Sequence, residues 1–282
     1  MDVFIAGFVL TRENNCYRSE DTVAVQLLPN KVKALIRIPW VRTYFSKFVA
    51  AKGMYEYIIA RTKYIDSAFK EALANHFDQI LIFGAGFDTR ALRFQDMTGT
   101  TKIFELDVPT TQEAKISQYQ KRGLSIPHSL TFIPIDFDKE SLPVKLEEVG
   151  FKVGKRTLFI LEGLLMYLQP KSVHETFQVI QDSAGRGSEV VFDYVYASVL
   201  RREGQYEGER KIVESVARAG EQWHFGIEKG GVEEFLSAYD LRLCDQRDAS
   251  QLEQMYFKNT NGKIIGHVNG THCLVRAVKT QG

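Results

Sequence analysis

Apolar and polar positions change their spacing repeatedly along the chain, and each change marks an element. Five short apolar runs stand out: Ile80–Phe83, Thr101–Leu106, Leu130–Ile135, Thr157–Leu161 and Glu189–Tyr194. Runs of this length, rich in β-branched residues and bounded by turn or charged residues, predict strands buried on both faces of a parallel sheet. Helical spacing appears between them, at Thr111–Lys121 and Lys171–Ala184, and ahead of the first run at Arg61–Leu73. Residues 15–78 read as mostly helical, with Pro29 and Pro39 breaking the pattern. The stretch from Ala197 to Glu228 is charged and irregular, which predicts a helical insertion over the sheet. Val232–Tyr239 predicts a helix, and Leu241–Cys244 and His272–Ala277 predict the last strands. Strands alternating with helices predict a doubly wound, mostly parallel α/β sheet. The expected organisation is a single domain, with a helical cap over 1–75, an α/β core over 76–282 and an insertion at about 197–230.

Composition narrows the function classes. With 36 basic and 35 acidic residues the formal net charge is +1, so the basic excess of a nucleic-acid binder is missing and no such partner is expected. Cys16, Cys244 and Cys273 are odd in number and form no C-x-x-C pair, which fits a reduced, cytoplasmic setting. The start Met1-Asp2-Val3-Phe4 lacks the basic region of a secretory signal. No apolar run reaches the ~18 residues of a membrane span, so no membrane partner is expected. The six histidines are scattered without ligand spacing, so no metal site is expected.

Candidate chemistry begins where the first predicted strand stops. Gly84-Ala85-Gly86 lets the backbone turn sharply and lets a ligand approach closely. Asp88 is placed to cap a following helix. The spacing is G-x-G, with Asp88-Thr89 where a dinucleotide fingerprint carries its third glycine. That points away from a pyrophosphate and toward an adenosine ligand without phosphates, with S-adenosylmethionine as the candidate cofactor. An acid about 20 residues beyond such glycines is placed to accept from ribose hydroxyls. Asp107 sits near that offset and Glu105 is the fallback; side chains alternate along a strand, so both point to one face. Ligands of an open α/β sheet sit beyond the carboxyl ends of the strands. Gly84, Asp107, Asp136, Glu162 and Gly163 all fall there on this reading. Asp136 is placed for an adenine amino group and the backbone N–H of Phe137 for a ring nitrogen. Glu162 ends an apolar strand, and a buried carboxylate needs a partner; the cofactor's ammonium or a nearby arginine would serve. Trp223, His224 and Phe225 lie in the irregular insertion, either roofing a methyl acceptor or packing as a lid.

Four segments carry a resemblance to a known family: Ala60-Arg61-Thr62, the Gly84–Arg90 turn, Phe104–Pro109 with Thr111-Gln112, and Leu161–Leu168. Gln222–Gly226 is a fainter fifth. The chain resembles the leucine carboxyl methyltransferase-like family of class I S-adenosylmethionine-dependent methyltransferases, in particular its bacterial O-methyltransferase branch. The resemblance implies a Rossmann-like sheet of seven strands whose last strand is antiparallel and inserted between two others. It implies that Arg61 binds the cofactor's methionine carboxylate, with Asp136 and Phe137 on the adenine. It also places Tyr167 on the substrate side. Arg90 reads as a salt-bridge partner steadying the glycine turn. Residues 1–59 match the family least, and in the family that region contributes to the substrate pocket.

The expected activity is O-methyl transfer, with a carboxylate of a small molecule as the acceptor. No catalytic residue is required for that acceptor; a phenol would need a base, and His224 is then the nominee, with Tyr167 beside it. The alternatives are carboxyl methylation of a protein C-terminus, a dinucleotide-dependent oxidoreductase, and a non-catalytic binding protein on the same scaffold.

Overall fold

The computed structural model describes residues 15–17, 20–28, 51–135, 140–218 and 220–280. Seven strands form one sheet: β1 (Gln79–Phe83), β2 (Lys102–Asp107), β3 (Leu130–Pro134), β4 (Thr157–Leu161), β5 (Glu189–Val195), β6 (Leu241–Arg247) and β7 (His272–Lys279). Their order across the sheet is β3-β2-β1-β4-β5-β7-β6. The first five pair in parallel, while β7 runs antiparallel to both β5 and β6 and lies between them. This is the seven-stranded arrangement, with its inserted antiparallel last strand, that the resemblance implies. The strand order reverses between β1 and β4, where such sheets bind ligands.

The central strands β1 and β4 are buried at every position because both faces are covered, and they are apolar at all but their first residues, Gln79 and Thr157. Alternation then sorts their side chains. Ile80, Ile82, Leu158 and Ile160 face the long helix α1 (Met54–Ala74), against its Ile65, Phe69 and Leu73. Leu81, Phe83, Phe159 and Leu161 face the opposite layer, with Phe177 and Ile180 of the helix α3 (Pro170–Ser183). Between these helices in sequence, α2 (Pro109–Arg122) follows β2 and starts on a proline, whose missing N–H costs nothing at a first turn.

Several boundaries differ from the sequence expectation. Helix α1 begins at Met54 rather than Arg61, because Tyr55, Tyr57 and Ile58 are buried and extend its packing face. Strand β6 runs three residues past Cys244, since pairing with β7 continues beyond a bulge between Leu243 and Asp245. Helices at Leu142–Glu148 and Ala249–Tyr256 were not expected. The second carries a capping box, Asp248 with Gln251, which was readable in the sequence. Asp88 is not the cap of the next helix: Thr89 holds that position and the helix, Arg90–Arg93, is a single turn. Asp88 instead accepts from the Arg90 N–H at 2.7 Å. The insertion contains Ala197–Leu200 and the helix α4 (Glu209–Arg218), then returns so that Ile227 pairs with Tyr196 beside β5. Among the described residues no helix is long and apolar enough to cross a membrane.

Candidate active site at the carboxyl ends of the strands

The glycine turn is tied down from two sides. Gly84 and Gly86 have φ of +58° and +50°, the left-handed region that other residues adopt only at a cost. A Cβ on Gly84 would lie 3.0 Å from a methyl of Leu164, so β1 and the loop after β4 touch here. The Ala85 N–H donates to the Leu106 carbonyl at 2.9 Å. Asp107 Oδ2 accepts from the Gly86 N–H at 2.5 Å, and its Oδ1 accepts from the Val108 N–H at 2.7 Å. A carboxylate has about four acceptor sites, so these two bonds leave capacity for ribose hydroxyls.

Glu105 shares the face of Asp107 but not its situation. It is 1% exposed, and Lys115 of α2 donates to its Oε2 at 2.5 Å. Its Oε1 has no hydrogen-bond partner among the described residues. Burial pushes this carboxyl up to about 7, against the pull of Lys115. Of the two acids singled out in the sequence, Asp107 touches the turn and Glu105 lies behind it in the interior.

A chain of buried ion pairs runs beneath the turn. Arg61 donates from Nε to Glu162 Oε1 at 3.0 Å and from Nη1 to Asp193 Oδ2 at 3.3 Å. Arg90 reaches Glu162 Oε2 at 2.7 Å, Asp66 Oδ1 at 2.8 Å and Asp88 Oδ2 at 2.5 Å. Arg93 continues the chain to Asp66 at 2.7 Å and Asp21 at 3.5 Å. Burial by itself would weaken the Arg90 charge, but Asp88, Glu162 and Asp66 outweigh it and hold the guanidinium well above its ordinary range. Burial likewise pushes Asp88 up, yet Arg90 and Lys115 bring it below the usual carboxylate value. Both alternatives for Glu162 therefore bear on one carboxylate, since it already holds two arginines while its side chain keeps 17% exposure. Gly163, with φ of +58°, packs against Arg61: a Cβ there would meet Nη1 at 3.0 Å.

The substrate-side residues divide. Trp223 is 9% exposed, lying edge-on to Tyr167 (centroids 6.5 Å apart) and to His272 (5.4 Å). Its indole N–H has no hydrogen-bond partner among the described residues. Tyr167 is exposed. His224 is exposed too, and its backbone N–H donates to the Met166 carbonyl at 2.7 Å, docking the insertion onto the turn after β4. Phe225 is half-buried and turns toward Phe235, at 5.8 Å. Asp136 and Phe137 lie outside the described residues. Among the described residues, no three His, Cys, Asp or Glu side chains are grouped to hold a metal ion.

Sequence reasoning missed Asp193, Tyr57, Asp66 and His272. Asp193 had a signal: it is the one acid inside the run Val190–Val195, and the burial argument applied to Glu162 applies equally to it. His272 had none. It is fully buried, its ring 4.4 Å from Tyr57, and burial pushes it down to about 4, so it is neutral at pH 7.

The donor set fits S-adenosylmethionine. Among the described residues, three arginines (Arg61, Arg90 and Arg93) pair with five carboxylates (Asp21, Asp66, Asp88, Glu162 and Asp193), a carboxylate-rich cluster. A cofactor bearing one carboxylate, one ammonium and a sulfonium is net positive and would suit such a cluster, and its adenosine would lie at the glycine turn. Comparison with known proteins agrees. The profile of the leucine carboxyl methyltransferase family matches residues 10–181. YktD of Bacillus subtilis, named as an S-adenosyl-L-methionine-dependent methyltransferase by inference, is 26% identical over 77% of this chain and 71% of its own. A similarly named protein of Mycobacterium ulcerans is 31% identical over 51% of this chain and 46% of its own, so that match spans about half of each. The fold is shared with a methyltransferase-like protein of Thermobifida fusca, at a TM-score of 0.61 and 12% identity over 100% of this chain and 95% of that one. An O-methyltransferase family protein of Burkholderia thailandensis shares it at 0.51 and 9% identity, over 81% and 59%. The chain belongs to the leucine carboxyl methyltransferase family, whose members are S-adenosylmethionine-dependent methyltransferases.

Proposed function

We propose that the protein transfers a methyl group to a carboxylate oxygen of a small molecule. When bound, S-adenosylmethionine supplies an electrophilic methyl carbon on a sulfonium, so the protein's work is binding, alignment and exclusion of water. Arg61 receives the methionine carboxylate and Glu162 the ammonium, with the loop backbone at Gly163 beside them. Asp107 accepts from the ribose hydroxyls over Gly84, Ala85 and Gly86. Tyr167 and Trp223 line the acceptor side.

The observation that favours a carboxylate acceptor is His272. It is buried with its ring 4.4 Å from Tyr57, and with its pKa pushed down to about 4 it is a poor base for a hydroxyl. A carboxylate is ionised at neutral pH and needs no base. Its negative charge and the sulfonium's positive charge cancel as the bond forms, so a dry aromatic surface helps the step. His224, the residue considered as a base for a phenol, is exposed at the docking point of the insertion.

The test is incubation with methyl-labelled S-adenosylmethionine and a panel of carboxylic acids, phenols and C-terminal peptides, read by mass spectrometry. Label that is released by mild base as methanol identifies a carboxyl ester. Base-stable label on the phenols would overturn the carboxylate assignment, and label on peptides alone would make a protein C-terminus the acceptor.

A further inference from the structure

Asp193 is a buried carboxylate with no exposed surface, two residues before the carboxyl end of β5. Three donors from two separate elements converge on it. Tyr57 donates its hydroxyl to Oδ2 at 2.7 Å, Arg61 donates Nη1 to the same oxygen at 3.3 Å, and the Gly163 N–H donates to Oδ1 at 2.6 Å. Tyr57 and Arg61 are four apart on α1, so they share one helix face and approach the strand together. Gly163 comes from the loop after β4 and packs against the guanidinium.

We infer that Asp193 is a positioning residue for cofactor binding: it holds Arg61 and the Gly163 backbone in the arrangement that receives the amino-acid arm of S-adenosylmethionine. The inference rests on the proposed role of Arg61. One carboxylate grips both groups, with Oδ1 on the loop and Oδ2 on the arginine. Glu162 holds the guanidinium through Nε and Asp193 holds it through Nη1, so the two carboxylates fix it at two points. Tyr57 in turn keeps Oδ2 in place. Its hydroxyl is held well above its ordinary pKa by burial and by Asp193, so it stays a donor throughout the physiological range. Adenosine binding involves the turn after β1 and Asp107, none of which touches Asp193. The effect of Asp193 is therefore confined to the amino-acid arm.

The test uses the full chain and two ligands that share adenosine. S-Adenosylhomocysteine carries the amino-acid arm and methylthioadenosine lacks it. Asp193→Asn keeps the shape and an acceptor oxygen for Gly163 but removes the charge facing Arg61. Calorimetry is expected to show the affinity for S-adenosylhomocysteine falling about tenfold or more, the scale of losing a buried charged hydrogen bond. Affinity for methylthioadenosine is expected to change less than about twofold. Tyr57→Phe removes only the hydroxyl and is expected to give a smaller loss, about threefold, with the same ligand selectivity; it decides the matter alone should the asparagine variant not fold. Equal losses for the two ligands, or none, would overturn the positioning role. Arg61→Lys is measured alongside. A selective loss there with none in Asp193→Asn or Tyr57→Phe rejects the inference and leaves the cofactor arrangement standing. No selective loss in Arg61→Lys overturns that arrangement and the inference with it.

Discussion

Asp107 and Gly86, 21 residues apart, meet through a 2.5 Å bond from the Gly86 N–H to the Asp107 carboxylate. The bond fastens the end of β2 to the turn after β1, so the group proposed to meet the ribose also shapes the glycine turn beneath it. Asp107→Ala is expected to weaken S-adenosylhomocysteine binding by about 1–3 kcal/mol, the cost of losing a charged acceptor and leaving its donors unpaired. Glu105→Ala should act differently. It strands the Lys115 ammonium, which has no exposed surface, and is expected to cost about 3–5 kcal/mol of stability while the folded fraction binds normally. Chemical unfolding and calorimetry on both variants separate the two. A binding defect confined to Glu105→Ala would mean that the wrong acid has been placed on the ribose.

Removing Arg90 should unfold the protein before it impairs chemistry. Its guanidinium sits between Asp66, Asp88 and Glu162, three carboxylates that would be left close together without their shared cation. Arg90→Met is expected to lose about 3–5 kcal/mol, read as a drop in the midpoint of thermal or denaturant unfolding. A change below 1 kcal/mol would show that the remaining arginines neutralise the cluster alone.

The glycine turn predicts a stability effect alongside any effect on ligand. A Cβ at Gly86 would meet only the Gly84 carbonyl, at 3.9 Å, so the protein leaves space for a side chain there. The obstacle is φ of +50°, which costs an L-residue roughly 1–2 kcal/mol and a β-branched one more. Gly86→Val is therefore expected to lower the melting temperature as well as cofactor affinity, and Gly86→Ala to show the smaller loss of both. An unchanged melting temperature in both would mean that the turn relaxes to accept a side chain.

His272 predicts the sign of a pH effect. Burial depresses its pKa from 6.5 to about 4, so the unfolded chain binds a proton that the folded chain rejects between those values. Its contribution to stability is complete above pH 6.5 and is lost as pH falls toward 4. The shift corresponds to about 3 kcal/mol. His272→Gln should remove this component, so that the stability difference between wild type and variant narrows as pH falls through this window. Parallel curves by urea unfolding at pH 7, 5.5 and 4.5 would show that the ring is not held neutral.

The sequence by itself determined the elements whose signal is local. Strands of a parallel sheet covered on both faces are rich in consecutive apolar positions, and the five parallel strands were legible from their short apolar runs. The turn after β1 was legible because only glycine adopts positive φ cheaply, and the family followed from motifs contained in short segments. The tertiary structure decided what depends on pairing across the chain. Alternation put Glu105 and Asp107 on one face, but only the packing of α2 showed Lys115 taking the first and leaving the second at the turn. The burial argument that found Glu162 could not name its partners, Arg61 and Arg90, which are 101 and 72 residues away. Asp193 lies 132 residues from Arg61, and His272, rather than His224, packs beside Tyr57 because β7 enters between β5 and β6. Burial and ion pairing are properties of what surrounds a side chain, and those surroundings are assembled from residues whose sequence separation carries no local mark.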